Sequence, residues 1–349
     1  MTPPQTRLQQ VMLSALYYSG ICKLLEPVSA GVGMIFMLHH VVAEAPRAFA
    51  PNRGLEIDAD FLDLVLQEVR RRGFRIVDLD EVERCLRERD FDSKFACFTF
   101  DDGYQDNFEH ALPVFKRHDA PFALYLTSGL PDGTAVLWWR VLEYVIANND
   151  SVEVPGMGPA FQIRTTREKY RAYQSIYWPL RNAHPDRQSE IATKLGERYG
   201  VGAEILCSEC AVSWPRLNDM LETGLVTIGA HTVNHRKLSD LDTEEARTEI
   251  VRGCDTTRER LQITPRHLAY PYGDRASAAS REFQLARELG FATAVTTRKG
   301  VLYPDHAEYL HALPRVSLNG FFQHAHYLRA LMSGAPFALR RGFVRLDTS

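Results

Sequence analysis

Phe95-Ala-Cys-Phe-Thr-Phe-Asp-Asp-Gly103 is an apolar run that stops on two adjacent carboxylates and a glycine. Residues 95–100 read as a buried strand. Gly103 frees the backbone to turn, and helical spacing begins near Tyr104. Carboxylates at the carboxyl end of a buried strand sit where α/β folds place ligands and catalysis. Asp101 and Asp102 repel each other, burial raises the cost, and a cation beside them removes it. Matching ligands appear far downstream in Gly229-Ala-His-Thr-Val-Asn-His235. The residues therefore read as a metal-dependent hydrolase, with Asp102, His231 and His235 on the metal and Asp101 as the base.

Outward from this stretch, strands and helices alternate. Upstream, 31–38 is a short apolar strand ending in His39-His40, which are either a loop pair or residues of an active-site rim. A helix over 59–72 is stopped by Gly73, and 46–53 is a loop. A strand over 74–79 and a helix over 81–89 follow. Downstream, 104–118 is a helix with a break at Pro113, and 121–126 is a strand. The alternation predicts βαβ units and a parallel sheet or barrel. It lapses from 131 to 212, where helical stretches at 137–147 and 189–199 predict a mostly helical insertion or lid. It resumes with a helix over 214–222, strands at 225–230, 267–270, 291–296 and 311–316, and helices at 243–261 and 277–289. The chain so divides into an N-terminal helical segment (1–30), a first barrel part (31–130), the insertion (131–212), a second barrel part (213–320) and a basic tail (321–349).

The 349 residues are 45% hydrophobic and 24% charged, ordinary for a globular chain with a sizeable core. A net charge of -3 implies no polyanion partner, and Arg70-Arg71-Arg72 reads as a solvated helix face, so nucleic-acid binding is not expected. Of the six cysteines, only Cys207 and Cys210 are close, and no second half of a zinc site accompanies them. Ordinary thiols and a reducing compartment follow. Residues 11–30 are moderately apolar but interrupted by Lys23, Glu26 and Pro27, too broken for a spanning helix. An amphipathic helix packed on the domain is expected there, with a helix lying on a membrane surface as the second reading. The expected location is the cytoplasm, up to the inner face of the membrane.

A catalytic metal site needs about three protein ligands and an open position. His231 and His235 are four apart, so a helical turn would set both imidazoles on one face. With a carboxylate they suit Zn2+, and Co2+, Ni2+ or iron by the same chemistry. Such a metal acidifies water and polarises a carbonyl oxygen, and a neighbouring carboxylate held off the metal can take the water proton. Taken singly, an Asp-Asp-Gly is usually a turn and a His-x-x-x-His is often chance. Their conjunction carries the reading: each ends its own apolar strand, and Tyr270-Pro-Tyr-Gly-Asp274 ends a third. A glycosidase using Asp101 and Asp102 is disfavoured, because such carboxylates flank a sugar from opposite sides.

Thr99-Phe-Asp-Asp-Gly103, His231-Thr-Val-Asn-His235 and Tyr270-Pro-Tyr-Gly273 resemble, in order, the first three motifs of the polysaccharide deacetylase family, also called the NodB-homology or carbohydrate esterase 4 family. Met37-Leu-His-His-Val41 is similar to the entry strand of its exopolysaccharide-type members. The resemblance covers roughly 31–128 and 214–316. It implies an irregular (β/α) barrel of the NodB type carrying the helical insertion. It implies hydrolysis of an N-acetyl group from an amino sugar of a glycan, oligosaccharide or glycolipid, with release of acetate. Carried over by position, Asp101 is the general base, Asp102, His231 and His235 hold the metal, and the amide of Tyr272 lies in the oxyanion hole.

Departures from the family pattern shape further expectations. The family often has an Arg two residues before the Pro of the third motif, where this chain has Ala269. Arg315, in Leu313-Pro-Arg-Val316, is the candidate replacement to orient the base. The late Leu-x-His motif that supplies the general acid is not clear. His311 is the candidate, ahead of His324 and His326. Tyr104, Pro271, His39, His40 and the pair Trp138-Trp139 are candidate substrate contacts, the tryptophans either as core packing or as a stacking platform for a sugar. Two alternatives keep the fold: a metal-dependent hydrolase of another non-peptide C–N bond, and a catalytically silent glycan-binding protein.

Overall fold

The computed structural model describes residues 4–43 and 47–347; Pro46, at the head of the expected 46–53 loop, lies outside them. Seven parallel strands close a barrel: β1 (Gly33–Leu38), β2 (Phe95–Asp102), β3 (Phe122–Leu126), β4 (Val226–Ala230), β5 (His267–Ala269), β6 (Thr293–Lys299) and β7 (Leu313–Ser317). Each strand pairs with the next in sequence, and the ring closes where β7 meets β1 at Phe36–Val316 and Met37–Ser317. Helices connect the strands, so both strand faces are covered and the strands read as continuous apolar runs.

The period of two sorts the side chains of β2. Phe98 and Phe100 face outward against Phe115 and Phe122, with ring centroids 5.5–5.9 Å apart in edge-on contacts. Phe95 and Cys97 belong to the barrel interior with Ile35, Tyr125, Val295 and Leu313. Burying one such Phe is worth about 1.5–3 kcal/mol. Continued along the strand, the alternation sends Asp101 inward and leaves Asp102 at the exit.

The strand expected at 74–79 shrinks to Arg75–Ile76, which pairs with Phe95 and Ala96 beside the barrel and is not part of the ring. The reason is local: Asp78 accepts a 2.8 Å hydrogen bond from the Glu81 N–H and caps a helix that starts at Leu79. The break at Pro113 takes the form of a π-turn over Asn107–Ala111 that hands over to the helix Leu112–Arg117. In the insertion, helices Trp138–Asn148, Thr166–Arg181, Pro185–Arg198 and Ala203–Glu209 surround a separate core that includes Leu142, Ile146, Ile176 and Leu195.

The segments at the two ends of the chain pack on each other. Helix Pro4–Tyr18 lies along Ala325–Met332, where the Gln10 side chain donates to the Phe321 carbonyl at 2.7 Å and Ser14 meets His326 at 3.2 Å. Ile21–Ser29 packs on a second tail helix, Ala335–Arg340. The N-terminal helix is thus docked, yet Leu8, Val11, Met12 and Leu24 remain exposed. No described helix is long and apolar enough to cross a membrane.

Arg329 of the tail anchors this layer to the barrel. Its guanidinium donates two hydrogen bonds to the buried Glu68 carboxylate at 2.9 and 3.1 Å, and Arg71 donates two more. Burial alone would raise the pKa of Glu68, but the guanidinium hydrogen bonds outweigh it and pull it from 4.5 to about 2. The folded pKa lies below the unfolded one, so this stabilisation is complete above the unfolded value and is lost as pH falls through the folded value. Glu68→Gln is therefore expected to cost about 1–3 kcal/mol at neutral pH. The gap between variant and wild type should close as pH falls from 4.5 towards 2, followed by denaturant melts. A gap that stays constant with pH would rule this anchor out.

Candidate active site

Asp101 and Asp102 end β2 at the carboxyl rim of the barrel and are both almost fully buried. Asp102 has φ 76°, which swings it off the strand direction, and Gly103 follows at φ 91°. A Cβ at Gly103 would stand 2.6 Å from the Leu126 side chain, so the turn is open only to glycine. His231 and His235 follow β4. They do not share a helical turn: the segment is a loop with Thr232 at φ 64° and His235 at φ 54°. The loop brings both imidazoles to one point by left-handed backbone instead. With Tyr272 at φ 63°, four non-glycine residues of this rim lie in the left-handed region, a conformation that persists only where surrounding structure enforces it.

The three expected ligands converge. Asp102 Oδ1 lies 3.3 Å from His231 Nε2 and 3.3 Å from His235 Nε2, all three residues buried. His231 Nδ1 meets the Ala269 carbonyl at 2.7 Å, so Nδ1 carries the proton and Nε2 offers its lone pair to the cluster. Asp102 Oδ1 has no hydrogen-bond partner among the described residues, although it is sealed from solvent. A buried carboxylate oxygen without a donor, facing two imidazole nitrogens, fits a divalent cation. Burial raises the pKa of Asp102, but His235 and His231 outweigh it and hold the group well below the usual carboxylate range. A second grouping, Glu81, Cys85 and Asp90, is already neutralised by Arg75 and Arg84.

Asp101 is held apart from the cluster by a different partner. Arg315 crosses the barrel interior from β7 and donates to both Asp101 oxygens at 2.6 Å. Two further donors go to Thr99 Oγ1 at 3.1 Å and the Thr296 carbonyl at 2.9 Å. Burial would raise the pKa of Asp101, and the Arg315 charge overrides this and lowers it. Thus the arginine absent at position 269 has a counterpart two strands away.

Tyr272 is fixed from the insertion. Trp138 Nε1 donates to its hydroxyl at 2.9 Å, and the Arg181 guanidinium lies 3.7 Å over its ring. Arg181 also binds Asp274 and Ser277, both at 3.1 Å. The Tyr272 N–H donates to no acceptor among the described residues. Trp139 packs edge-on against His235 at 4.9 Å and against Tyr272 at 6.0 Å. Both tryptophans and Pro271 are buried, so the pair is wedged between insertion and barrel and presents no open stacking platform.

His311 is not at this site. It precedes β7, at the opposite end of the barrel, where its Nε2 meets the Phe291 carbonyl at 2.8 Å. In a parallel barrel a residue before a strand cannot share the face that follows its neighbours. His324 and His326 belong to the tail layer, stacked on each other with centroids 5.7 Å apart. Beside His231 and His235, the histidines at the rim are His39 and His40. His39 Nε2 stands 3.9 Å from Asp101 Oδ2. His40 stacks on the buried Tyr104 at 3.7 Å, and its Nδ1 meets Asp106 at 2.6 Å. Asp106 and Asn107, which holds the His39 carbonyl at 2.8 Å, were missed in the sequence, as was Arg181. Two polar residues following the Asp-Asp-Gly turn, on the helix face that looks back at the strand ends, were the available signal. Cys207 and Cys210 are free thiols, and Cys207 is buried against Leu137.

Residues 88–294 match the family model described as polysaccharide deacetylase. No curated protein sequence matches the chain. Among solved structures, the chain is similar to the Streptococcus pyogenes deacetylase PplD in complex with acetate, at TM-score 0.58 and 20% identity, covering 85% of this chain and 97% of that one. It is also similar to IcaB from Ammonifex degensii, at TM-score 0.53 and 18% identity, covering 87% and 96%. A de-N-acetylase from Aggregatibacter actinomycetemcomitans aligns at TM-score 0.52 and 14% identity, covering 82% and 95%. The family match runs from just before β2 to the start of β6 and leaves out β1 and β7. With more than half its length inside that match, the chain belongs to the polysaccharide deacetylase family.

Proposed function

We propose that the protein removes N-acetyl groups from an amino sugar of a glycan or glycolipid, releasing acetate. The observation that carries this reading is the division of labour between two adjacent carboxylates: Asp102 faces two imidazoles, and Asp101, locked on Arg315, faces the same space without joining them. A divalent metal on Asp102, His231 and His235, zinc in this reading, supplies Lewis-acid polarisation and acidifies water. Asp101, kept ionised by Arg315, takes the proton of the water that adds to the acetamide carbonyl carbon. The unengaged Tyr272 N–H hydrogen-bonds the oxyanion. Collapse breaks the C–N bond, and the leaving nitrogen takes a proton. His39 is assigned to give that proton, because its Nε2 stands 3.9 Å from Asp101 Oδ2, beside the space that both carboxylates face. Six free thiols agree with a reducing compartment and a cytoplasmic placement.

The test is acetate release from a panel of N-acetylated oligosaccharides, before and after chelation and with zinc returned, beside His39→Ala. Chelation should abolish release and zinc should restore it. His39→Ala should lower turnover by about 10²–10⁴-fold with zinc still bound at one equivalent. Turnover of small cyclic amides but not of acetylated sugars would overturn the substrate. One bound zinc with no hydrolysis of any amide would select a binding protein.

A further inference from the structure

An apolar groove of about 1050 Å³ runs between the N-terminal helix Pro4–Tyr18 and the tail helix Ala335–Arg340. Leu8, Met12, Leu16, Phe321, Phe337 and Leu339 line it. Leu8, Met12 and Leu339 are among the most exposed large apolar residues of the chain, at 62%, 56% and 44%. Exposed apolar side chains gathered along one trough, and not scattered singly, suit a binding surface. One end of the groove opens at Lys299, Ser317 and Asn319, the carboxyl ends of β6 and β7. That is the barrel face on which the Asp101–Asp102 site lies.

Next to the groove lies a charged cleft of about 620 Å³, which shares Gln9, Lys299, Phe337 and Arg340 with it. Asp274 and Thr297 also line the cleft, and Thr297 Oγ1 donates to the Tyr272 carbonyl at 2.7 Å, which sets the cleft beside the Tyr272 loop of the site. Five cations line the cleft, Arg275, Arg298, Lys299, Arg340 and Arg341, against two carboxylates, Asp274 and Asp347. Asp274 is bound by Arg181, and Asp347 is shared by Arg275, Arg298 and Arg341. Lys299 and Arg340 have no carboxylate partner among the described residues and both line the groove and the cleft, where burial, and after it the Arg340 charge, lowers the Lys299 pKa. Two neighbouring cations without anions, between a catalytic loop and an apolar trough, match an anionic group placed between a sugar and a hydrocarbon chain.

We propose that the substrate is an amino sugar linked through phosphate to a long-chain lipid, with the chain in the groove, the phosphate between Lys299 and Arg340, and the N-acetyl group at the Asp102–His231–His235 site. This rests on the de-N-acetylase reading and narrows its substrate. Remote binding of chain and phosphate then supplies affinity that a free sugar lacks.

The zinc-loaded full chain is given three probes: an N-acetylhexosamine 1-phosphate esterified to a polyprenol in detergent micelles, the same sugar phosphate without the chain, and an uncharged long-chain N-acetylhexosaminide. The polyprenyl phosphate probe should have a kcat/KM at least ~100-fold above either truncated probe. Met12→Asp and the double variant Lys299→Glu, Arg340→Glu should each cut that advantage at least ~10-fold through KM, with zinc content and thermal midpoint held. Equal turnover of the three probes would overturn the proposal. So would a dimer that Met12→Asp dissociates, since a second copy then fills the groove. Equal binding to anionic vesicles with and without the sugar lipid, with no preference among the probes, would make the groove a bilayer contact and overturn it too. If no probe and no soluble acetylated sugar is hydrolysed, the de-N-acetylase reading fails by itself. Binding of a fluorescent polyprenyl phosphate, lost in Met12→Asp, then upholds the groove assignment, and its absence overturns it.

Discussion

Asp101→Asn should lower acetate release by about 10²–10⁴-fold, the usual worth of a positioned base, while zinc still binds at one equivalent. The separation follows from the strand. Asp101 points into the barrel and touches Arg315 and no imidazole nitrogen at bonding distance, whereas Asp102 alone closes on His231 and His235. An amide at position 101 cannot take a proton from water, and the metal ligands stay as they are. Stability should fall as well, since a buried guanidinium loses its charge partner, so turnover is compared on protein shown to be folded at the assay temperature. Near-wild-type release by zinc-loaded Asp101→Asn would remove Asp101 from the mechanism. Loss of zinc would instead show that the two carboxylates share the metal.

Arg315→Ala should cost about 3–5 kcal/mol in stability, because it leaves a buried carboxylate unpaired. Its effect on catalysis has a sign that can be worked out. In the wild type Arg315 overrides burial and holds the Asp101 pKa below its ordinary 3.8. Stability from that pairing is present above the unfolded pKa and lost as pH falls through the folded one. In the variant burial acts with less opposition and the pKa rises. The acid limb of the kcat/KM profile should therefore move to higher pH, with turnover lost first at the acidic end. Arg315→Lys keeps a charge but not the two-pronged geometry, and should fall between the two. A profile that drops evenly at every pH, with no movement of the acid limb, would mean that Arg315 only supports the fold.

Much of this was legible in the residues. The alternation of apolar runs with helical stretches forecast a parallel sheet or barrel, because strands buried on both faces are hydrophobic without alternation, and the family resemblance chose the barrel. The ligands were readable because each ends such a run. What failed has physical causes. Residues 74–79 look like strand by composition, but Asp78 is a better helix cap than a strand residue. Four-residue spacing suggested a helical turn for His231 and His235, and spacing alone cannot reveal that Thr232 and His235 take left-handed backbone. His311 was chosen as the candidate for a late Leu-x-His motif, which ignores that residues before and after a parallel strand lie on opposite ends of the barrel. The helices Ala325–Met332 and Ala335–Arg340 were hidden in a segment that read only as basic, since their partner is the other end of the chain.

Closure of the ring by β7 against β1 has a consequence for how the protein comes into being. During synthesis, six of the seven strands emerge before Leu313 does, and until then the sheet keeps two unpaired edges of the kind that invite mispairing. The same late strand brings Arg315, so throughout that interval Asp101 has no counter-charge and the sheet has no reason to bury it. Completing the barrel and neutralising its catalytic carboxylate are one event. A chain cut at the end of the segment shared with the family would therefore hold every metal ligand and still have neither a closed wall nor a settled base.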